Sequence, residues 1–207
     1  MKHLVVFCAA LALAACESIP ELPSQTEGGP AWEQHQAALG KLTQWRIEGR
    51  LAVNNGDEAW NINLHWQQNG DAYQIELSGP FGAGKVQLVG DAQGVLLRDA
   101  DQKTFYASSA EELLFQQTGV LMPVTGLRYW VLGLPTPHHV SQPGFDQQGR
   151  LVTLQQADWR VVFRRYTEVN AIPLPDKLFI TKLDNKNIDV RLVVDAWQLE
   201  ERRETRN

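Results

Sequence analysis

From residue 45 to residue 97, apolar side chains recur at every second position. Trp45, Ile47, Leu51 and Val53 alternate with Arg46, Glu48, Arg50 and Ala52. After the turn Asn54-Asn55-Gly56-Asp57, Trp60, Ile62, Leu64 and Trp66 share one face, while Asn61, Asn63 and His65 share the other. Shorter runs follow at Tyr73/Ile75/Leu77, Val86/Leu88 and Val95/Leu97. Closely spaced strands with Gly and Asn turns predict an antiparallel meander with one buried face.

The period then lengthens. Ser109-Ala-Glu-Glu112 is a capping box that opens a helix to about Gln117, closed by Gly119. Thr125 is the expected cap of a second helix carrying Leu127, Trp130 and Val131, with Gly133 as its stop and Pro135 beyond. An earlier short helix is expected from Pro30, with Trp32, Gln36, Leu39 and Leu42 on one face. Strands resume at Val152/Leu154 and Trp159/Val161/Phe163. They continue at Leu178/Ile180, after Pro173-Leu-Pro175, and end at Ile188/Val190/Leu192/Val194.

Nine or ten strands with one apolar face each must bury that face, and two mid-chain helices are few for a wide sheet. A mostly β fold is therefore expected. Its strongly curved antiparallel sheet would form an incomplete barrel, with the helices as a lid over an apolar cavity. A flatter sheet with helices on one face is the alternative.

The N-terminus adds chemistry. Lys2 and His3 precede an apolar run from Leu4 to Ala15, too short for a spanning helix of ~20 residues and suited to a signal-peptide core. It ends Leu13-Ala14-Ala15-Cys16, which resembles a bacterial lipobox. Residues 1–15 are then a signal peptide, and Cys16 is the site of S-diacylglycerol and N-acyl attachment. Glu17, where inner-membrane lipoproteins typically have Asp, implies sorting to the outer membrane, facing the periplasm. The stretch 16–30 holds three prolines and two glycines and reads as a tether, with a reach of ~20 Å. One domain is expected over 31–199, with a frayed charged tail over 200–207. Cys8 and Cys16 are the only cysteines, so the mature domain has no thiol for a disulfide, a metal site or a nucleophile.

Composition excludes several classes. The 207 residues carry 19 Lys+Arg against 24 Asp+Glu, net −5, which lacks the basic footprint of a nucleic-acid binder. There is no Gly-x-Ser-x-Gly elbow and no Walker sequence. Gly79, Gly82 and Gly84 do not form a dinucleotide fingerprint. His35, His65, His138 and His139 have no metal-site spacing, and Glu111-Glu112 suits a helix start. No catalytic residue, cofactor or metal is expected.

Two features remain informative. Pro80, Phe81 and Gly82 stand at the tip between two strands, where Phe81 is expected to be exposed and to meet membrane or an apolar partner. A Phe folded back on its hairpin is the alternative. The second feature is aromatic density. The chain has seven Trp, and Trp45, Trp60, Trp66 and Trp159 fall on apolar strand faces. Each alone reads as a core filler. Together they favour an acyl cavity, whose candidate residues are Trp45, Ile47, Leu51, Trp60, Ile62, Leu64, Trp66, Leu77, Val161 and Phe163.

The order and spacing of Trp45-Arg-Ile-Glu-Gly-Arg-Leu-Ala52, Trp66-Gln-Gln68, Gly79-Pro-Phe-Gly82, Tyr129-Trp-Val-Leu-Gly-Leu-Pro135, Trp159-Arg-Val-Val-Phe-Arg-Arg-Tyr166 and Leu174-Pro175 resemble the LolB family. The likeness spans essentially the whole mature chain. It implies a receptor that accepts acylated lipoproteins from the periplasmic carrier LolA and inserts them into the inner leaflet of the outer membrane, without ATP. It further implies a protruding loop with an apolar tip, Phe81 here, and Cys16 as the anchor. A monomer is expected. Two other classes stay open on the residues alone: a structural outer-membrane lipoprotein that supports an assembly, and a periplasmic lipid hydrolase using the same cavity.

Overall fold

The computed structural model describes residues 27–184 and 188–200. The lipobox with Cys16, residues 1–26 generally, and the tail from 201 lie outside the described residues.

Chain order begins with α1 (Gly29–Leu39), β1 (Gln44–Asn54), β2 (Ala59–Asn69) and β3 (Ala72–Ser78). A short 3₁₀ turn, Pro80–Gly82, leads to β4 (Val86–Gly90), β5 (Val95–Arg98) and β6 (Thr104–Ala107). Next come α2 (Ala110–Thr118) and α3 (Val124–Trp130). The chain ends with β7 (Ser141–Phe145), β8 (Leu151–Gln156), β9 (Trp159–Val169), β10 (Ile172–Lys182) and β11 (Asp189–Leu199). All 11 strands form one sheet in the order β6-β5-β4-β3-β2-β1-β11-β10-β9-β8-β7. Every paired neighbour is antiparallel. The two edges, β6 and β7, do not pair, so the barrel is incomplete, as expected.

The period-two reading holds along β1, whose odd positions Trp45 to Val53 are buried while Arg46, Glu48 and Arg50 are exposed. Two strands escape the periodicity. β6 alternates in burial, but its adjacent aromatics Phe105 and Tyr106 mark neither face as apolar, and β7 contains Pro143-Gly144, which ordinarily argues against a strand. The edge position of β7 resolves this, because an edge strand tolerates a residue without a donor. Pro173 and Pro175 fit β10 by a related device. Residues 172–175 pair with β9, whereas pairing with β11 runs only over Lys177–Thr181. The Pro175 carbonyl is instead met by the Trp197 indole N–H at 3.3 Å.

Helix ends differ modestly from expectation. α1 begins at Gly29, one residue before Pro30, and stops at Leu39, which leaves Leu42 in the turn beyond it. Ser109 caps α2 as expected, its hydroxyl accepting from the Glu112 N–H, and Gly119 closes it in the left-handed conformation. α3 starts earlier than Thr125, at Val124 behind Pro123. The Thr125 N–H is held by the Glu111 carboxylate at 2.7 Å, so the two helices are joined at their N-termini.

Because α2 and α3 connect one sheet edge to the other, they must cross a face. Their buried residues Leu113, Leu114, Val124, Leu127 and Trp130 form one apolar cluster with the inward residues of β1, β2, β9, β10 and β11. The opposite face carries Arg46, Glu48, Arg50, Asn61, Asn63, His65 and Arg191.

Candidate acyl-chain site

The structure divides the candidate cavity residues into two groups. Trp45, Ile47, Leu51, Leu64, Trp66, Val161 and Phe163 are no more than 2% exposed, packed beneath the helices. Trp45 lies 5.5 Å from Trp66 and 5.8 Å from Trp197, ring centre to ring centre, in tilted and edge-on arrangements. Trp60 and Ile62 are only partly buried, and with Leu77 they line an open cleft of about 460 Å³. The far wall of the cleft is Leu114, Thr118 and Val120, from α2 and the residues after it. Its rim is Gly79, Pro80, Ala83 and Gly84. The lining is mostly apolar, which suits a guest held without hydrogen bonds.

At this rim stands Phe81, fully exposed. The tip is built to hold it out. The Gly79 N–H donates to the Ala83 carbonyl at 2.7 Å, and Gly82 N–H donates back to Gly79 at 3.1 Å, closing a tight loop. Phe81 sits at φ 57° and ψ 21°, a left-handed conformation that costs a residue with a Cβ about 1–2 kcal/mol. Gly82 and Gly84 also have positive φ, where glycine is at ease. The loop base is tied to the sheet by Lys85, whose Nζ lies 2.9 Å from Glu76 Oε2. The Lys85 hydrogen bond holds the Glu76 carboxyl below the usual carboxylate range. A backbone strained to display an apolar ring to water implies a use for that ring.

The helices covering the site are pinned unevenly. At the α3 end, Arg128 donates to the Gly70 carbonyl at 2.6 Å and to Asp71 at 2.9 Å. Past α3, the buried Gln156 side chain accepts from Trp130 Nε1 and from the Thr136 N–H, and donates to the carbonyls of Thr136 and His139. At the cleft end, the side-chain hydrogen bonds of Thr118 and Val120 stay within their own segment among the described residues: the Thr118 hydroxyl donates to Leu114 O and accepts from the Val120 N–H. The cover is thus fastened to the sheet at α3 and rests on it by apolar contact at the end of α2.

Leu114, Thr118 and Val120 escape a reading confined to strand faces. Leu114 follows Leu113 in the capping-box helix, whose apolar positions already mark what must face the sheet. Gln156 carries a clearer signal, since it continues the inward series Val152, Leu154 with an amide. His65 is exposed, 3.8 Å from Glu48, and His138 and His139 are exposed in a loop. Among the described residues no cluster of His, Cys, Asp and Glu could hold a metal ion.

Comparison with known proteins agrees with this architecture. The family model for "Outer membrane lipoprotein LolB" matches residues 43–197. An outer-membrane lipoprotein LolB of Nitrosococcus oceani is 37% identical over 196 residues, 94% of this chain and 96% of that protein. A LolB of Pseudomonas putida is 38% identical over 200 residues, 96% of each chain. Among solved structures, a LolA superfamily protein from Nitrosomonas europaea superposes with a TM-score of 0.56 at 6% identity, covering 83% of this chain and 92% of that one. A likeness of fold without likeness of sequence shows a shared scaffold, the open antiparallel sheet with helices across one face. The family-model match and the relatives together establish that the chain belongs to the LolB family of outer-membrane lipoproteins.

Proposed function

We propose that the protein accepts acylated lipoproteins from a LolA-type periplasmic carrier, shelters their acyl chains between sheet and helices, and inserts them into the inner leaflet of the outer membrane. The observation that carries the reading is the apolar cleft whose rim is the Phe81 loop. Guest site and membrane-seeking ring share one edge of the molecule. Cys16, by its lipobox, is the acyl anchor that holds the receptor at that membrane. No catalytic step enters the process.

The energetics give the receptor its task. Each buried CH₂ is worth ~0.8 kcal/mol, so acyl chains left in water would cost tens of kcal/mol. A cleft of about 460 Å³ is the size of one small-molecule site, typically about 300–1,000 Å³. A triacylated guest therefore needs the cover to lift from the sheet. The end of α2 is where it lifts, because only apolar contact holds it there. Lifting extends the lining from Leu77 to Leu64 and Leu51, so chains replace side chains at little net change in apolar exposure. Direction then requires only that affinity rise from carrier to receptor to bilayer.

The test mixes the mature chain bearing Cys16→Ala with a triacylated lipoprotein loaded on the carrier, and reads handover by pull-down. Stoichiometric transfer is expected. No transfer, with donor active and receptor folded, overturns the reading in favour of a structural role.

A further inference from the structure

We propose that the outer sheet face carries a second membrane contact, a basic patch around Phe179 that binds the anionic phospholipid headgroups of a bilayer while the Phe81 loop enters it. The proposal rests on the reading of Phe81 as membrane-facing.

Sheet register assembles the patch. Arg191 is paired with Phe179, and Phe179 with Val162, across β11, β10 and β9, all turned away from the core. Lys177 pairs with Val193 one row along. The register of β9 against β10 shifts there, so Arg164 falls between Phe163 and Arg165 without a β10 residue opposite it. The result is three cations round one ring. Arg164 and Arg191 Cζ each lie 5.4 Å from the Phe179 centroid, and Lys177 Nζ lies 5.5 Å away.

The charge is uncompensated. Arg50 and Arg165 nearby have carboxylate partners, Asp195 and Asp176. Arg164, Lys177 and Arg191 have no salt bridge among the described residues, and Arg164 Nε is buried with no hydrogen-bond partner. Three like charges gathered on an aromatic ring repel one another, and the Arg164 Nε–H is a strong donor left unfilled. A layer of phosphates supplies what is missing, since guanidinium and ammonium groups both bind phosphate oxygens. In a chain of net charge −5, such a face also decides orientation: it is attracted to an anionic surface that repels the rest of the molecule.

Position selects a bilayer as the occupant. A shallow groove runs across this patch from Lys177, Phe179 and Arg191 to Asn61 and Pro80, and Pro80 adjoins Phe81. Asn63 on the same face donates to the Gly79 carbonyl at 3.3 Å, which ties the loop to the patch. A ring inserted at Phe81 therefore brings this face down to headgroup level.

The experiment uses the mature chain with Cys16→Ala, which retains every described element, and sediments it with vesicles in the absence of carrier and cargo. One vesicle set contains phosphatidylethanolamine and phosphatidylglycerol, the other phosphatidylethanolamine and phosphatidylcholine. The expected result is tighter binding to the first set, weakening as salt is raised. Each basic residue near an anionic surface contributes about fivefold, so Lys177→Gln with Arg191→Gln is expected to lower that preference by about 25-fold. Lys41→Gln with Lys103→Gln removes the same charge elsewhere and is expected to leave it. Equal binding to both sets, or an undiminished preference in the patch variant with its thermal unfolding unchanged, overturns the proposal. So does a patch variant that keeps the vesicle preference but loses handover, because the face would then meet an acidic protein surface. Handover without anionic preference would leave the receptor function standing and remove only the patch.

Discussion

The indole of Trp130 donates to the side chain of Gln156 across 3.3 Å, and through that amide the last turn of α3 is fastened to β8. Gln156 is 2% exposed and makes four hydrogen bonds, the other three to the backbone of Thr136 and His139. A buried amide so fully used is expensive to lose, since its partners are left unpaired at about 1–3 kcal/mol each. Gln156→Leu is therefore expected to lower stability by about 2–4 kcal/mol in urea unfolding. Because one of the two ties at the α3 end is lost and only Arg128 remains there, an environment-sensitive apolar dye is also expected to bind the folded variant more strongly. A stability loss without added dye binding would mean that Gln156 holds the fold and not the cover.

Phe81 sets stability against activity. Its ring touches no core and its φ of 57° is strained, so Phe81→Gly removes strain while adding unfolded-chain entropy. The net expectation is stability unchanged or raised by up to about 1 kcal/mol. Insertion of cargo into vesicles is expected to fall at least tenfold in both Phe81→Gly and Phe81→Glu, with cargo binding retained. Normal insertion by Phe81→Glu would remove the loop from the mechanism.

The fold was legible where burial is one-sided. Alternation in β1 and β2 marked their inward faces, and the turn at residues 54–57 marked them as neighbours, because a half-buried antiparallel strand writes its environment at every second residue. The loop at Phe81 was legible for a related reason, as an aromatic enclosed by Pro80 and Gly82 has no route to the core. What stayed hidden depends on long-range pairing. Pro143 in β7 makes sense only once β7 is known to be an edge, and Arg164 joins Lys177 and Arg191 only through a register shift. The candidate cavity residues lie on the inward face of the sheet, yet the alternation could not separate Trp60 and Ile62, at the open cleft, from the fully buried Trp45 and Trp66. That difference is set by where α2 lies.

Gly49 shows the same limit within the motif Trp45–Ala52. It occupies an inward position, yet its role is backbone spacing. The register of β1 against β11 shifts between Glu48 and Gly49, and a Cβ there would overlap the Val193 carbonyl oxygen. The clash is with main chain, which does not swing aside as a side chain would. Gly49→Ala is expected to destabilise by about 2–3 kcal/mol, against under about 0.5 kcal/mol for Gly70→Asn in the open β2–β3 turn. Equal effects in chemical unfolding would show that β11 relaxes freely at this point.

The last prediction concerns pH and α1, the first helix among the described residues. His35 on α1 is half-buried, its Nε2 has no partner, and burial, with Arg150 adding to it, lowers its pKa below 6.5. The folded state therefore binds a proton less readily than the unfolded chain does. Stability is full above pH 6.5 and declines as pH falls toward the folded value, because the unfolded chain takes up the proton first. Trp32, one turn earlier, packs on Phe145 of β7 at 5.0 Å, so the opening concerns α1 and the β7–β8 edge. Amide exchange in α1 is expected to quicken as pH is lowered from 7 to 5, after correction for intrinsic rates. His35→Gln is expected to abolish that acceleration while leaving exchange in α2 unchanged. An acceleration that persists in His35→Gln would assign the effect to another group. Its loss would make α1 a pH-sensitive clasp on the β7–β8 edge, sharing no lining residue with the cleft.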